Sequence, residues 1–417
     1  FNKKYIKICI LIFFYLSLYS HLKQKIMGII KSLIDTDLYK ITMQHAVIQM
    51  FPNQKVKYQF RDRNGISYPD GFDIEVMKEI KLMENLILTK GEKDYMNTTF
   101  GKFLPPTYID FLAGYRFDSN EVKVTLDENN KLVINIEGYW YRTILWETCL
   151  MSIISELYFK MTGQNVNIDD PILKMYDLKK LDLMMAHNAY FADFGTRRRY
   201  SFDNQLRICK LFKEHSNHVF VGTSNVYISY LLGIRCTGTH AHEWFMVIAA
   251  IFGYKVANHI ALKYWSDVYK GSLGTALSDT FTTNAFLNDF DMVMSKLFDG
   301  VRHDSGNPFE FADKMIKHYK SMDIDPMSKT IIFSDGLNTK LATEIKEYCV
   351  GKVKCSFGIG TDLTNDLGVK PLNIVIKISE VLVNGQWVGA IKLSDVAGKN
   401  MGDPYEIEIC KHDLRIK

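Results

Sequence analysis

The sequence predicts an α/β protein in which a parallel-stranded barrel is joined to a mixed α+β layer. Three observations predict it. Beyond about residue 185, seven short apolar or β-rich runs each end in small and polar residues. Most of the gaps between them carry a helical pattern, and alternating strands occur near both ends of the chain. Strand, polar tip and helix in repetition place every tip on one face of a parallel sheet, where an α/β barrel carries its site. An open doubly wound sheet is the competing architecture. The barrel is favoured because nearly every tip is furnished for chemistry, whereas an open sheet concentrates function at one switch point.

The bulk properties bound the function. The 417 residues suffice for two or three domains, or for one large barrel with additions. A hydrophobic content of 47% with 24% charged residues is that of a protein with a large core. A net charge of +4 on so long a chain gives no argument for nucleic acid, and the pattern gives none for a membrane partner. The seven cysteines are scattered, odd in number and without a C-x-x-C pair. They read as reduced thiols in a cytoplasmic protein, with neither a disulfide framework nor a zinc site.

Residues 1–26 stand apart. Lys3, Lys4 and Lys7 precede an apolar run from Ile8 to Tyr19, shorter than the roughly 18 residues a membrane span needs. No small-x-small cleavage site follows, so the segment reads as an upstream extension, with a signal peptide as the minority reading. Residues 27–145 read as an α+β domain, 146–370 as the barrel, and 371–417 as strands returning to the first domain.

In order, Asp35 or Thr36 is the expected N-cap of a helix running through Met50. Lys55 to Arg61 alternates as a strand, and residues 75–100 read as one helical segment. Glu121–Leu126 and Lys131–Ile136 form a hairpin around Asp127-Glu128-Asn129-Asn130, followed by a long helix from about Arg142 to Met161. After Pro371, strands at Asn373–Ile378 and Val388–Leu393 flank the turn Asn384-Gly385.

The tips carry the chemistry. Gly238-Thr239-His240-Ala241-His242-Glu243-Trp244 follows a run of β formers and short turns (Asn225 to Thr237) and opens an apolar helix. A glycine turn at a helix start exposes N–H groups that favour a phosphate. His242 is then a nitrogen nucleophile beside an anion site, against the blander role of a capping or packing histidine. Phe194-Gly195-Thr196-Arg197-Arg198-Arg199 sets three guanidinium groups at a strand exit, where their forks match carboxylate or phosphate; a solvated basic surface is the alternative. Ser334-Asp335-Gly336-Leu337-Asn338 and Ser356-Phe357-Gly358-Ile359-Gly360-Thr361 are two late small-residue tips of the kind that hold phosphate in barrels. Asp304 can bind a ribose hydroxyl or Mg²⁺, and Arg302 a carboxylate or phosphate; a structural ion pair between them is as good a reading. Asp279 is placed to orient His242 through the second ring nitrogen, or simply to pack. Tyr39, by pattern alone, is a core aromatic. The set suits a polyphosphate substrate.

At these residues the chain resembles nicotinate phosphoribosyltransferases. The match runs from Asp35-Thr36-Asp37-Leu38-Tyr39 through the arginine tip and Gly238-Thr239-His240-Ala241-His242-Glu243-Trp244. It continues through Arg302-His303-Asp304-Ser305-Gly306 and the two glycine tips to Lys370-Pro371-Leu372-Asn373. The resemblance implies a type II phosphoribosyltransferase fold, an irregular α/β barrel with a sandwich-like domain from both terminal segments. It implies ATP-assisted transfer from phosphoribosyl pyrophosphate to nicotinate in NAD salvage, in a Mg²⁺-dependent cytoplasmic homodimer with sites near the subunit interface. His242 matches the phosphorylated histidine, Tyr39, Thr239 and Arg302 the nicotinate contacts, and Thr361 a ribose-phosphate contact. Catalysis is expected of His242, Asp279 and Asp304. Substrate binding is expected of Arg197, Asp335, Gly336, Gly358 and Gly360 as well. Asn307 stands where many bacterial members have Asp, and relatives that use nicotinamide share Asp-Ser-Gly-Asn-Pro, so nicotinamide is the alternative acceptor.

Overall fold

A computed structural model describes residues 28–238, 240–396 and 400–416. The expectation for residues 1–26 lies outside them. Two sheets organise the chain. The first is antiparallel: β1 (Lys55–Asp62), β2 (Val122–Leu126), β3 (Leu132–Tyr139), β10 (Ile374–Val383) and β11 (Gln386–Gly389), in the order β11-β10-β1-β3-β2. The C-terminal strands therefore join those of the N-terminal segment, with Tyr58 opposite Ile378 on one side and Ile136 on the other.

The second sheet is parallel: β4 (Phe191–Asp193), β5 (Phe220–Thr223), β6 (Thr275–Leu277), β7 (Gly300–His303), β8 (Thr330–Phe333) and β9 (Lys354–Ile359), in the order β5-β4-β9-β8-β7-β6. These six strands match six of the seven expected runs. The seventh, at residues 234–237, contributes one parallel bridge, Cys236 to Thr223 beside β5. Between this run and β6 a side chain takes the place of a ladder: the Leu277 N–H donates to His240 Nε2 at 3.1 Å. Burial pushes His240 down to about 3, so it is a neutral acceptor there.

The N-terminal segment closes the barrel mouth. Helix Leu38–Met50 begins at the tip of β5, where Asp37 bridges Asn225 and the Leu38 N–H donates to Ser224 O at 2.8 Å. Its first ten residues are all buried, which brings Tyr39 and Lys40 inside. Trp140, Trp146, Trp244 and Trp265 are buried nearby, and Trp140 stacks on Trp244 at 5.8 Å. Each such ring contributes about 2–3 kcal/mol by leaving water.

Several expectations are corrected. Residues 75–100 form two helices, Phe72–Met83 and Lys90–Phe100; Thr89 starts the second with a reciprocal capping box to Glu92. The long helix near 142–161 is interrupted, as Trp140–Thr143 and Trp146–Met161. Within the stretch read as β formers, Val226–Leu232 is a helix. Asn225 caps it, accepting from the Ile228 N–H at 3.0 Å, and Gly233 ends it at φ +60°. The N-cap of the first helix is Asp37, not Asp35 or Thr36, and Asp35 is engaged elsewhere. The six cysteines among the described residues are free, as expected.

Candidate active site

The tips of the parallel strands converge with Tyr39 on two adjoining hollows. One is a narrow pocket lined by Tyr39, Phe194, Arg197, Thr237, Arg302 and Ile332 among others. The other is an open groove along Arg198, Ser334, Gly336, Gly358, Gly360 and Thr361. Phe194, Arg197 and Arg302 line both, so they form a shared wall. Gly358 must be glycine here, since a Cβ would run into the Phe194 ring, and Gly336 takes a left-handed φ of +57° at its tip. The narrow pocket is aromatic with a cation at its wall, which suits a flat acid; the groove suits phosphates.

The three arginines of the tip do three different jobs. Arg199 is wholly buried and paired with Asp35, so its part in anion binding is corrected to a structural one. Arg198 faces the groove. Burial, with Arg197 and Arg63 close by, pushes it down to about 10. Arg197 is one-third exposed into the hollows. Among the described residues it has one ion-pair partner, Glu147 at 3.7 Å, and no hydrogen-bond acceptor. Arg302 is the opposite case, for its guanidinium donates to Ser334 Oγ (2.8 Å), Asp304 Oδ1 (2.9 Å) and the His240 carbonyl (3.4 Å). Both readings of Arg302–Asp304 therefore hold at once: an ion pair that also lines the site.

His242 opens helix His242–Phe252. The neighbouring Glu243 pins that helix start, accepting from Tyr58 Oη, Trp140 Nε1 (2.7 Å) and Lys40 Nζ. His242 Nδ1 faces Thr280 Oγ1 at 3.0 Å. Nε2 faces Asp304 Oδ2 at 2.9 Å and Lys392 Nζ at 2.8 Å, with Asp279 Oδ1 at 3.5 Å. Asp279 therefore does not orient the ring through its second nitrogen. It shares Nε2 with Asp304, and Thr280 takes the other side. Burial and then the Lys392 ammonium push His242 below its ordinary value, so the ring is neutral at neutral pH. Burial alone would raise Asp304, but Arg302 and His242 outweigh it and hold the carboxylate well below its usual range.

Lys392 had no signal in the sequence beyond its charge. It lies after β11, and the Leu393 N–H donates to Thr280 O at 2.9 Å, which sets the lysine against the histidine. Asp335, Gly336, Gly358, Gly360 and Thr361 stand at the groove's end of the sheet as expected, Asp335 between two groove-lining neighbours. Thr239 lies outside the described residues.

Fold and site together define the class: a type II phosphoribosyltransferase. The profile of the nicotinate phosphoribosyltransferase family matches residues 189–417, and that of its N-terminal domain matches residues 34–155. A nicotinate phosphoribosyltransferase of Chromohalobacter salexigens is 46% identical over 386 residues, 92% of this chain and 98% of its own length. One from Desulforapulum autotrophicum is 45% identical, covering 91% and 98%. The crystal structure of the Porphyromonas gingivalis nicotinate phosphoribosyltransferase superposes with a TM-score of 0.90 at 42% identity, covering 92% of this chain and 99% of that one. The chain belongs to the nicotinate phosphoribosyltransferase family.

Proposed function

We propose that this protein joins nicotinate to the phosphoribosyl group of phosphoribosyl pyrophosphate, giving nicotinate mononucleotide and pyrophosphate in NAD salvage. The observation that carries the reading is Arg197: a half-buried guanidinium with no hydrogen-bond acceptor among the described residues, on the wall shared by an aromatic pocket and a polar groove. A guanidinium so placed favours a planar carboxylate. Tyr39 and Phe194 supply ring faces in the same pocket. The pyridine nitrogen forms the bond to the ribose carbon as the bond to pyrophosphate breaks, and the leaving oxygens carry the electron pair away. Arg198, Arg302 and the glycine tips at Gly336, Gly358 and Gly360 line the groove that would take that charge. Nicotinamide, the alternative acceptor, brings Arg197 no carboxylate.

ATP assistance belongs to the same proposal. Neutral His242 attacks the terminal phosphorus of ATP, ADP leaves, and water later cleaves the phosphohistidine to phosphate. Lys392 and Thr280 orient the ring, Lys392 donating to Nε2 and Thr280 Oγ1 accepting from Nδ1–H, so Nε2 is the attacking nitrogen and the ring proton leaves to water after the transfer. Magnesium fits the residues present. His242, Asp279 and Asp304 offer ligand atoms within 4.8 Å of one another, and buried Asp279 Oδ1 has no hydrogen-bond partner among the described residues. Asp279 and Asp304 would hold it, and it would offset phosphate charge. A cytoplasmic homodimer completes the proposal. No described helix is long and apolar enough to cross a membrane.

Incubation with γ-labelled ATP tests the reading. An acid-labile protein-bound label, abolished by His242→Ala while slow ATP-independent transfer continues, is the expected result. Label retained in that variant overturns the phosphohistidine. Faster turnover of nicotinamide than of nicotinate overturns the acceptor.

A further inference from the structure

The one ion-pair partner of Arg197 belongs to a buried charge cluster that the chemistry above leaves unused. Glu147, on helix Trp146–Met161, is 3% exposed. One of its oxygens faces Lys40 Nζ; the other lies 3.4 Å from Lys377 Nζ and 3.7 Å from Arg197 Nη1. Lys40 also pairs with Glu243, beside His242. Three cations thus meet two carboxylates in a dry region, and the cation with the greatest exposure is Arg197, whose side chain is 33% exposed against 0% for Lys40 and 12% for Lys377. An isolated buried surplus of charge is costly, and an anion arriving at Arg197 offsets it.

We propose that Glu147 is a positioning residue that holds Arg197 against the shared wall and thereby sets the preference for an acidic base. This rests on the reading of Arg197 as the nicotinate carboxylate's partner. A long, flexible side chain with five donors needs an anchor to present one fork to a ligand, and preorganisation is what makes such a contact selective. Glu147 is suited to the task because Lys40 and Lys377 fix its own two oxygens. Helix Trp146–Met161 fixes the backbone on either side of the arginine, since Ser152 Oγ donates to Thr196 O at 2.7 Å and Ser155 Oγ to Arg199 O at 2.8 Å. Arg197 thus has its backbone and its guanidinium set by one helix. Glu147 lines neither pocket, and of its three cationic partners Arg197 is the one that does.

Glu147→Gln keeps the shape and removes the charge. Steady-state kinetics with phosphoribosyl pyrophosphate should show KM for nicotinate raised about 10-fold, kcat within about 3-fold of wild type, and nicotinamide turnover unchanged. In an Arg197→Met background the same substitution should have no effect on KM for nicotinate, since the partner that faces the pocket is gone. An unchanged KM in Glu147→Gln overturns the inference, as does an equal loss in the Arg197→Met background, which a merely structural role gives. Should Glu147→Gln not fold, Glu147→Asp retains the charge and withdraws it by one methylene; KM for nicotinate must then rise while kcat holds, and no rise overturns the inference. Wild-type protein that forms no nicotinate mononucleotide overturns the underlying reading and this inference together. An active wild type with an indifferent Glu147 overturns this one alone.

Discussion

Arg199 and Asp35 meet in a two-pronged ion pair, Nη1 to Oδ1 at 2.8 Å and Nη2 to Oδ2 at 2.9 Å, with both side chains wholly buried. The pair ties the start of the described chain to the arginine tip, and Asn225 Nδ2 adds a bond to the same carboxylate at 2.8 Å. Removing one partner leaves the other charge buried and alone. Asp35→Asn should therefore cost about 3–5 kcal/mol, read by chemical denaturation at neutral pH.

The same pair sets an acid limit. Burial alone would raise Asp35, but Arg199 outweighs it and holds the carboxyl below its ordinary value of 3.8. A depressed folded-state pKa gives stability that is present above the unfolded value and lost as pH falls through the folded one. The stability of wild type should fall steeply below about pH 4, and the Asp35→Asn variant should show a shallower slope there. Equal slopes would mean that the ion pair does not govern acid unfolding.

Lys392 donates toward the nitrogen of His242 that also faces both acids. If His242 is the phosphoryl acceptor, that ammonium offsets charge arriving on the ring. Lys392→Met should slow labelling by γ-labelled ATP about 10- to 100-fold while sparing ATP-independent transfer. Loss of both activities together would instead show damage to the groove.

Which parts of this were legible in the sequence follows from the range of the forces involved. Strand tips announce themselves locally, because glycine, serine and aspartate must follow a short apolar run, and the six parallel strands were found on that basis. Helix Val226–Leu232 was missed because Val226, Tyr227 and Ile228 favour strands, and the Asn225 cap and Gly233 terminus outweigh them. Asp35 reads as a helix cap until Arg199, far along the chain, claims it. No local pattern encodes such a pair. The same holds for Lys392 and Glu147, whose neighbours come from separate segments.

Gly358 gives a steric test of the shared wall. A methyl group there meets the Phe194 ring, which must shift, and that ring is part of the wall shared by both hollows. Gly358→Ala should cost about 1–3 kcal/mol by overpacking and raise KM for nicotinate more than it lowers stability-corrected kcat. Thermal denaturation beside steady-state kinetics separates the two effects.

Asn307 is the position that put the acceptor in question. Its side chain caps helix Pro308–Ser321, Oδ1 accepting from the Phe309 N–H at 2.9 Å and the Glu310 N–H at 3.3 Å, and it lines neither hollow. Aspartate makes the same cap about equally well. Asn307→Asp should therefore leave stability within about 0.5 kcal/mol and the ratio of nicotinate to nicotinamide turnover unchanged. Arg197→Met, by contrast, should collapse that ratio, since it removes the pocket-wall cation that has no hydrogen-bond acceptor among the described residues, Arg302 being engaged by Ser334, Asp304 and the His240 carbonyl. A ratio that follows residue 307 and ignores residue 197 would place acceptor choice at the helix start and take it away from the arginine.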